Sequence, residues 1–288
     1  MRSIRNMHPA QYDPIGDLVT YRALPAPSLP MGRLDPFLFL NHHGPQVYPP
    51  GNEGLPFGPH PHRGFETVTF ILEGDLTHKD SSGAHSVIRT GGVQWMTAGR
   101  GLIHAEVSSE AFKQTGGPLE LLQLWVNLPS RHKMTDPAYT GLQAEAIPVA
   151  GTTDGKAQVQ AVSGNWFGVQ GPVRPLTDVH LGLVTFAEGG RLDLDVPLTQ
   201  TIFLYVVRGA LEVNGTRVPR LHLVEFGNDD PALHLQAPEP AMILFGYGTP
   251  FGEPVVANGP FVMNTQEEIA AAYTDYRSGR FGSARSFL

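Results

Sequence analysis

Alternation of apolar and polar positions dominates the chain. Short β-branched and aromatic runs, mostly bounded by Gly or Pro, recur at 66–74 (ETVTFILEG), 93–98 (VQWMTA), 119–128 (LELLQLWVNL), 179–187, 201–209 and 241–248. A period of two suits strands, because successive side chains point to opposite faces of a sheet. In GALEVNGTRVPR, Asn214 and Gly215 separate two extended runs and predict a type I′ hairpin. A looser hairpin is expected around Gly83. Helical periodicity arrives only in NTQEEIAAAYTDYRSGRFG, where Thr265 is the expected N-cap, Glu268 its capping-box partner and Gly279 the stop. The stretch 130–157 is rich in turn residues and poor in alternation. It divides the chain into an N-terminal barrel over 1–135, a connecting segment over 136–157 and a C-terminal barrel over 158–288 that ends in the helix. Each half carries roughly six to eight candidate strands, the density of sandwiches and barrels. A shared order of extended run, glycine (Gly74 or Gly209) and hairpin suggests duplication.

Composition narrows the class without choosing a function. The 288 residues are 41% hydrophobic and 16% charged, enough apolar material for one large or two ordinary cores and too much for disorder. The net charge of −7 supplies no global basic field for a nucleic-acid backbone, and no recognition helix or basic stripe is evident. Cysteine is absent, which removes disulfides, thiolate nucleophiles and Cys-ligated zinc. The N-terminal stretch MRSIRNMHPAQYDP has no apolar signal core, and no run approaches a membrane span, so a soluble, cytoplasmic protein is expected.

Candidate chemistry begins at GPHPHRGFETVTFILEG, residues 58–74. If a strand begins near His60, then His60 and His62 share a face roughly 6–7 Å apart along the chain. A second i, i+2 pair, His104 and Glu106, stands in TAGRGLIHAEVS. Should the intervening hairpin fold these strands together, three imidazoles and one carboxylate would face one point. Such a nitrogen and oxygen donor set suits Fe(II), Mn(II), Ni(II), Cu(II) or Zn(II). In the second half the matching strand offers Asp193 and Asp195 instead, with His234 later, and surface alternation accounts for these as well as a metal would.

The spacing Gly54-x5-His60-x-His62-x3-Glu66-x7-Gly74, followed by GRGLIH ending at His104, resembles the two cupin motifs, with one extra residue before Gly74. More narrowly, PHPHRGFETVTFILEG, GGVQWMTAGRGLIHAE and LQLWVNLP resemble the pirin family, over most of residues 30–135 and more weakly to the C-terminal helix. The resemblance implies an all-β bicupin, two cupin-type barrels with a short C-terminal helix. It implies one divalent metal in the first barrel, Fe(II) foremost with Ni, Cu, Mn or Zn as alternatives, held by His60, His62, His104 and Glu106. The activity implied is that of a metal-dependent dioxygenase of the quercetin 2,3-dioxygenase type, acting on a small aromatic or enolic substrate with O2. Glu106, if bound through one oxygen, keeps the other free to take a hydroxyl proton and is the candidate base. The alternative implied is an iron-dependent redox sensor working as a transcriptional cofactor through a protein partner, without direct contact to nucleic acid or membrane.

Neighbouring residues are assigned more modestly. Strand parity points Glu66 the same way as the histidines, but the resemblance gives the carboxylate role to Glu106 and leaves Glu66 in support. His42 and His43 read as loop residues in NHHGP, His78 and His85 as solvated flanks of a hairpin, and His132 and His180 as unpartnered. Gln123, polar within an apolar strand, is expected to hydrogen-bond near the site.

Overall fold

The computed structural model describes residues 1–283. The alternating runs form the expected strands, among them Phe65–Glu73, Val93–Thr97, Gly117–Asn127, Val179–Phe186, Thr201–Arg208 and Ala241–Gly248. The fold is mostly β with two cupin domains, and the helix Gln266–Arg277 lies near the C-terminus. Thr265 caps that helix through its hydroxyl while Glu268 reaches back to the cap backbone, the reciprocal box foreseen from sequence. Asn214 (φ +50°) and Gly215 (φ +79°) make the tight turn between Ala210–Val213 and Thr216–Pro219, as a type I′ hairpin demands. A six-residue helix, Glu110–Thr115, capped by Ser109, is too short to announce itself by periodicity. No helix among the described residues is long and apolar enough to cross a membrane.

The chain forms two compact units, and both are discontinuous. One comprises Met1–Gln11, Arg22–Leu38 and Ala146–Phe251; the other comprises Tyr12–Tyr21, Phe39–Glu145 and the segment from Gly252 onward. The division expected at 136–157 therefore differs from the observed one at three places. Ile4–Pro9 leaves the N-terminal block to pair with His222–Phe226. Ala138–Leu142, inside the supposed connection, pairs with Val93–Thr97. The C-terminal segment joins the unit that holds residues 39–145. Edge pairing decides the first two, because an exposed sheet edge accepts an extended segment of matching register however distant in sequence, and apolar packing of Phe261, Ile269 and Phe281 on Ile103 decides the third.

Each unit carries a large and a small antiparallel sheet. In the unit that ends at Phe251, the large sheet runs from Ile4–Pro9 to Val149–Gly151, and the small one holds Arg191–Asp195, Ala232–Gln236, Ala210–Val213 and Thr216–Pro219. Its interior is aliphatic and aromatic, filled by Val184, Leu204, Leu211, Val224, Leu235 and Phe245. The other unit sets Phe65–Glu73 and Gly117–Asn127 at the middle of a seven-stranded sheet. Its small sheet is ordered Phe57–His62, Leu102–Val107, Asp75–Asp80, His85–Arg89. Here polar side chains cross the interior: Thr69, Gln94 and Gln123 of the large sheet all reach Glu106 of the small one.

Between His62 and Phe65 the chain leaves one sheet for the other, turning at Gly64 (φ +89°). A Cβ at Gly64 would overlap the carbonyl oxygen of Val262, so both conformation and space reserve this position for glycine. Gly64→Ala is expected to lower stability by roughly 2 kcal/mol or more, read from urea denaturation. A change under about 0.5 kcal/mol would show that the turn accommodates a side chain.

Candidate metal centre

Register brings the histidines together. Leu102–Val107 pairs with Phe57–His62 so that His104 lies opposite His60. The rings of His60 and His62 pack edge to face at 4.8 Å, and each lies within 5 Å of the His104 ring (4.3 and 4.9 Å). One nitrogen from each of His60, His62 and His104 falls within 4.8 Å of the others. Among the described residues this is the only His, Cys, Asp or Glu cluster of metal-binding geometry.

Hydrogen bonds orient these rings. His60 Nδ1–H donates to the Gly58 carbonyl (2.8 Å), and His62 Nδ1–H donates to the Pro260 carbonyl (3.2 Å). A carbonyl can only accept, so both rings carry a proton on Nδ1, and Nε2 is the nitrogen that each can offer to a metal. Nε2 of His60 and Nε2 of His104 stand 2.9 Å apart. Two lone pairs at that distance repel, and the contact requires either a shared proton or a cation between them. Burial, then the neighbouring His60, push the His62 ring down to about 3, against the Pro260 carbonyl, which raises it. His104 lies well below the usual imidazole range, first through burial and then through His62, His60 and His78. His62 and His104, kept neutral by burial, converge with His60 in a nitrogen set that fits a divalent metal of borderline hardness.

Glu106 stands two residues from His104 on the same strand face and is buried. It lies outside the three-nitrogen cluster. Its Oε1 accepts from Thr69 Oγ1 (3.2 Å) and, at short range, from Gln94 Nε2; its Oε2 accepts from Gln123 Nε2 (2.6 Å). Gln123 thus makes the hydrogen bond its sequence context required. A carboxylate offers about four lone-pair sites. Three are used here, and the remaining one is on Oε2.

Glu66 departs from its expected direction. Thr69 reaches Glu106, so the odd-numbered residues of Phe65–Glu73 face the site, and Glu66 faces away. The turn at Gly64 resets the parity that a continuous strand would have kept. Glu66 instead accepts from the Thr97 hydroxyl (2.7 Å). Other corrections follow from burial. His42 and His43 lie within the strand Phe37–Tyr48, where His42 meets Glu120 at 2.8 Å and His43 meets Thr20 at 2.9 Å. His78 is fully buried, bound to Asp80 (2.9 Å), stacked on Tyr139 at 4.0 Å and 5.5 Å from the His104 ring. It belongs to the site surroundings, and its cross-strand placement opposite Glu106 had no trace in local sequence. His85 is exposed, as expected, while His180 contacts Asp178 (3.2 Å) and stacks on Tyr247. Asp193 and His234 are an exposed cross-strand pair 2.6 Å apart, and Asp195 is exposed on the same strand, so alternation explains all three.

Burial raises Glu66 to about 7, against the opposing pull of Thr97 and Trp95. A carboxyl raised on folding favours the native state below its unfolded value near 4.5, and that contribution is lost as pH rises through 7. Glu66→Gln is therefore expected to gain stability over the parent as pH rises from 5 to 9, by up to about 2–3 kcal/mol, in parallel chemical denaturation series. A gap independent of pH would show that Glu66 is not held in this way.

The Pirin family model matches residues 19–126, and that of the Pirin C-terminal cupin domain matches residues 183–282. A Pseudomonas aeruginosa protein carried under the provisional name quercetin 2,3-dioxygenase is 40% identical over 268 residues, covering 93% of this chain and 92% of that protein. Pirin-1 of Arabidopsis thaliana is 38% identical, covering 86% and 84% of the two chains. The crystal structure of a quercetin 2,3-dioxygenase from Acinetobacter baumannii superposes with a TM-score of 0.93 at 36% identity over 99% of both chains. A bacterial pirin from Escherichia coli, solved in complex with nickel(II), shares the fold with a TM-score of 0.66 at 21% identity over 85% of this chain and 98% of its own. With matching family models over both halves and near full-length relatives, the chain belongs to the pirin family of bicupins.

Proposed function

We propose that this protein is a metal-dependent dioxygenase acting on a small enolic or phenolic substrate, with a flavonol as the first candidate. The observation that carries the reading is the convergence of three imidazoles beside a carboxylate with one accepting site to spare. His60, His62 and His104 would hold one divalent ion, with Glu106 as the fourth protein ligand. Fe(II) heads the candidates, and Ni, Cu, Mn or Zn meet the same donor chemistry. The metal would supply a Lewis-acidic position at which an enolate oxygen and O2 can be brought together.

The chain's own residues perform the remaining work. Glu106 is the group placed to take the hydroxyl proton of the substrate; with its spare site given to the metal, a site for that proton opens only when an incoming substrate displaces the Gln123 amide from Oε2. Gln94, Thr69 and Gln123 fix the carboxylate so that this oxygen keeps one direction. His60, Gln123 and Trp125 are only partly buried, whereas His62, His104 and Glu106 are buried, so the polar interior is reached from the side those three residues share. Trp125 stacks between Phe39 (4.6 Å) and Phe65 (4.3 Å) and meets His62 edge to face. That apolar wall beside His62 suits a flat ring. The provisional name of the Pseudomonas relative and the identity of the Acinetobacter structure both support a flavonol.

Protein purified without added metal is expected to carry about one transition-metal ion per chain. It should consume O2 with quercetin, and His104→Ala should lose both properties. Glu106→Gln should retain a folded barrel and lose about 10²–10⁴-fold in turnover, the usual range for an absent general base. Metal-loaded protein that consumes neither flavonol nor O2 above the His104→Ala control would refute the dioxygenase reading.

A further inference from the structure

Three features around His62 remain unexplained by the ligand set alone: its Nδ1 partner lies 198 residues away, Arg63 beside it is buried, and Lys133 is fully buried nearby. All three lead to the segment that follows Gly252. The strand Phe261–Met263 lies against the chain at Arg63, with Phe261 bridged in parallel to Arg63 and Val262 N–H donating to the Arg63 carbonyl (3.1 Å). Lys133 Nζ donates to the carbonyls of Gly64 (2.8 Å) and Val262 (3.1 Å) and to Asn127 Oδ1 (2.8 Å), bonding both backbones at once. The Arg63 guanidinium donates to Asp275 of the C-terminal helix (2.9 Å) and to the Arg100 carbonyl (2.6 Å), and lies 4.6 Å from the Phe281 ring centre.

The same segment also grips the second ligand strand. Phe261, Met263, Ile269, Ala272 and Phe281 form one apolar cluster with Ile103, the residue before His104. Ser81 Oγ donates to the Phe281 carbonyl (2.6 Å) and accepts from Ile103 N–H (3.1 Å). A Cβ on Gly101 would overlap the Phe281 ring, so that glycine makes room for it. Two ligand-bearing strands are therefore tied to one C-terminal element, and the one hydrogen bond on the His62 ring among the described residues goes to its loop, at the Pro260 carbonyl.

We propose that residues 256–283 are a clip that sets the tautomer and direction of His62 through the Pro260 carbonyl, so that docking of this segment and metal occupancy are coupled. The inference rests on the reading of His60, His62 and His104 as a metal site. An imidazole whose Nδ1–H is held by a carbonyl presents Nε2 in one direction, and loss of such a partner commonly costs about 10–100-fold in metal affinity. Linkage makes the effect reciprocal: whatever the clip adds to metal affinity, bound metal adds to docking of the clip. Pro260, Arg63, Lys133 and Asp275 thus act as positioning residues, and none would contact substrate.

The test uses Ni(II) alone, added to the full chain, with three readouts. Calorimetric titration is expected to show about tenfold weaker binding in Phe261→Ala and a few-fold weakening in Asp275→Asn, a solvent-edge change that leaves the apolar cluster intact. Imidazole 15N shifts should report a single Nδ1–H tautomer for His62 in the metal-free parent and a tautomer mixture in Phe261→Ala. Amide exchange at Val262 and along 266–277 should slow when Ni(II) is added to the unaltered parent, a readout that needs no variant to fold. Equal affinities together with unchanged exchange at Val262 would overturn the clip while leaving the metal site standing. Absence of Ni(II) binding by the parent would remove both.

Discussion

The candidate metal centre depends on aiming three imidazoles at one point, two of them, His62 and His104, buried and kept neutral by that burial. Each ring brings polar nitrogens into a barrel interior, where an unpartnered polar group costs on the order of 1–3 kcal/mol. The cost is met for His60 and His62 and only in part for His104, whose buried Nδ1 has no hydrogen bond among the described residues. Gly58 and Pro260 take the Nδ1 protons of His60 and His62, and the facing Nε2 atoms of His60 and His104 share one contact. Either a proton shared between the Nε2 atoms of His60 and His104 or a cation between them satisfies this contact. The carboxylate of Glu106 obeys the same logic, drawing donors from Thr69, Gln94 and Gln123 until one accepting site remains.

The contrast between the two units shows what the fold itself requires. One barrel closes over aliphatic and aromatic side chains, and the pair found at its sequence-predicted positions, Asp193 with His234, is on the outer surface. The other replaces part of that filling with Thr, Gln, Glu and His from facing sheets. The same sheet arrangement thus supports either an apolar core or one lined with polar side chains, and inward-facing positions make the difference. Phe261, Ile269 and Phe281 bury further apolar surface in the unit with the polar interior.

Much of this was legible in the sequence because strand parity and cap chemistry are local. The strands, the Asn214-Gly215 turn, the Thr265 capping box and the ligand faces of His60, His62 and His104 follow from residues within a few positions of one another. Long-range pairing was not legible. His78 became part of the site surroundings only because Asp75–Asp80 pairs with Leu102–Val107, which places it opposite Glu106. His42 and His43 were hidden because NHHGP has turn-like composition, yet a twelve-residue strand runs through it. Glu66 was misdirected by one glycine: Gly64 moves the chain to another sheet and breaks the count from His62. The unit boundaries were equally unreadable, since edge strands recruit segments such as Ile4–Pro9 from far away in sequence.

The most direct check on the converging site is anomalous diffraction at the nickel edge from crystals grown with Ni(II). One strong peak is expected, with the Nε2 atoms of His60, His62 and His104 at about 2.1 Å and a Glu106 oxygen completing the protein ligands. An interior free of anomalous density, or a peak bonded to other side chains while the three rings keep their hydrogen-bonded positions, would contradict it.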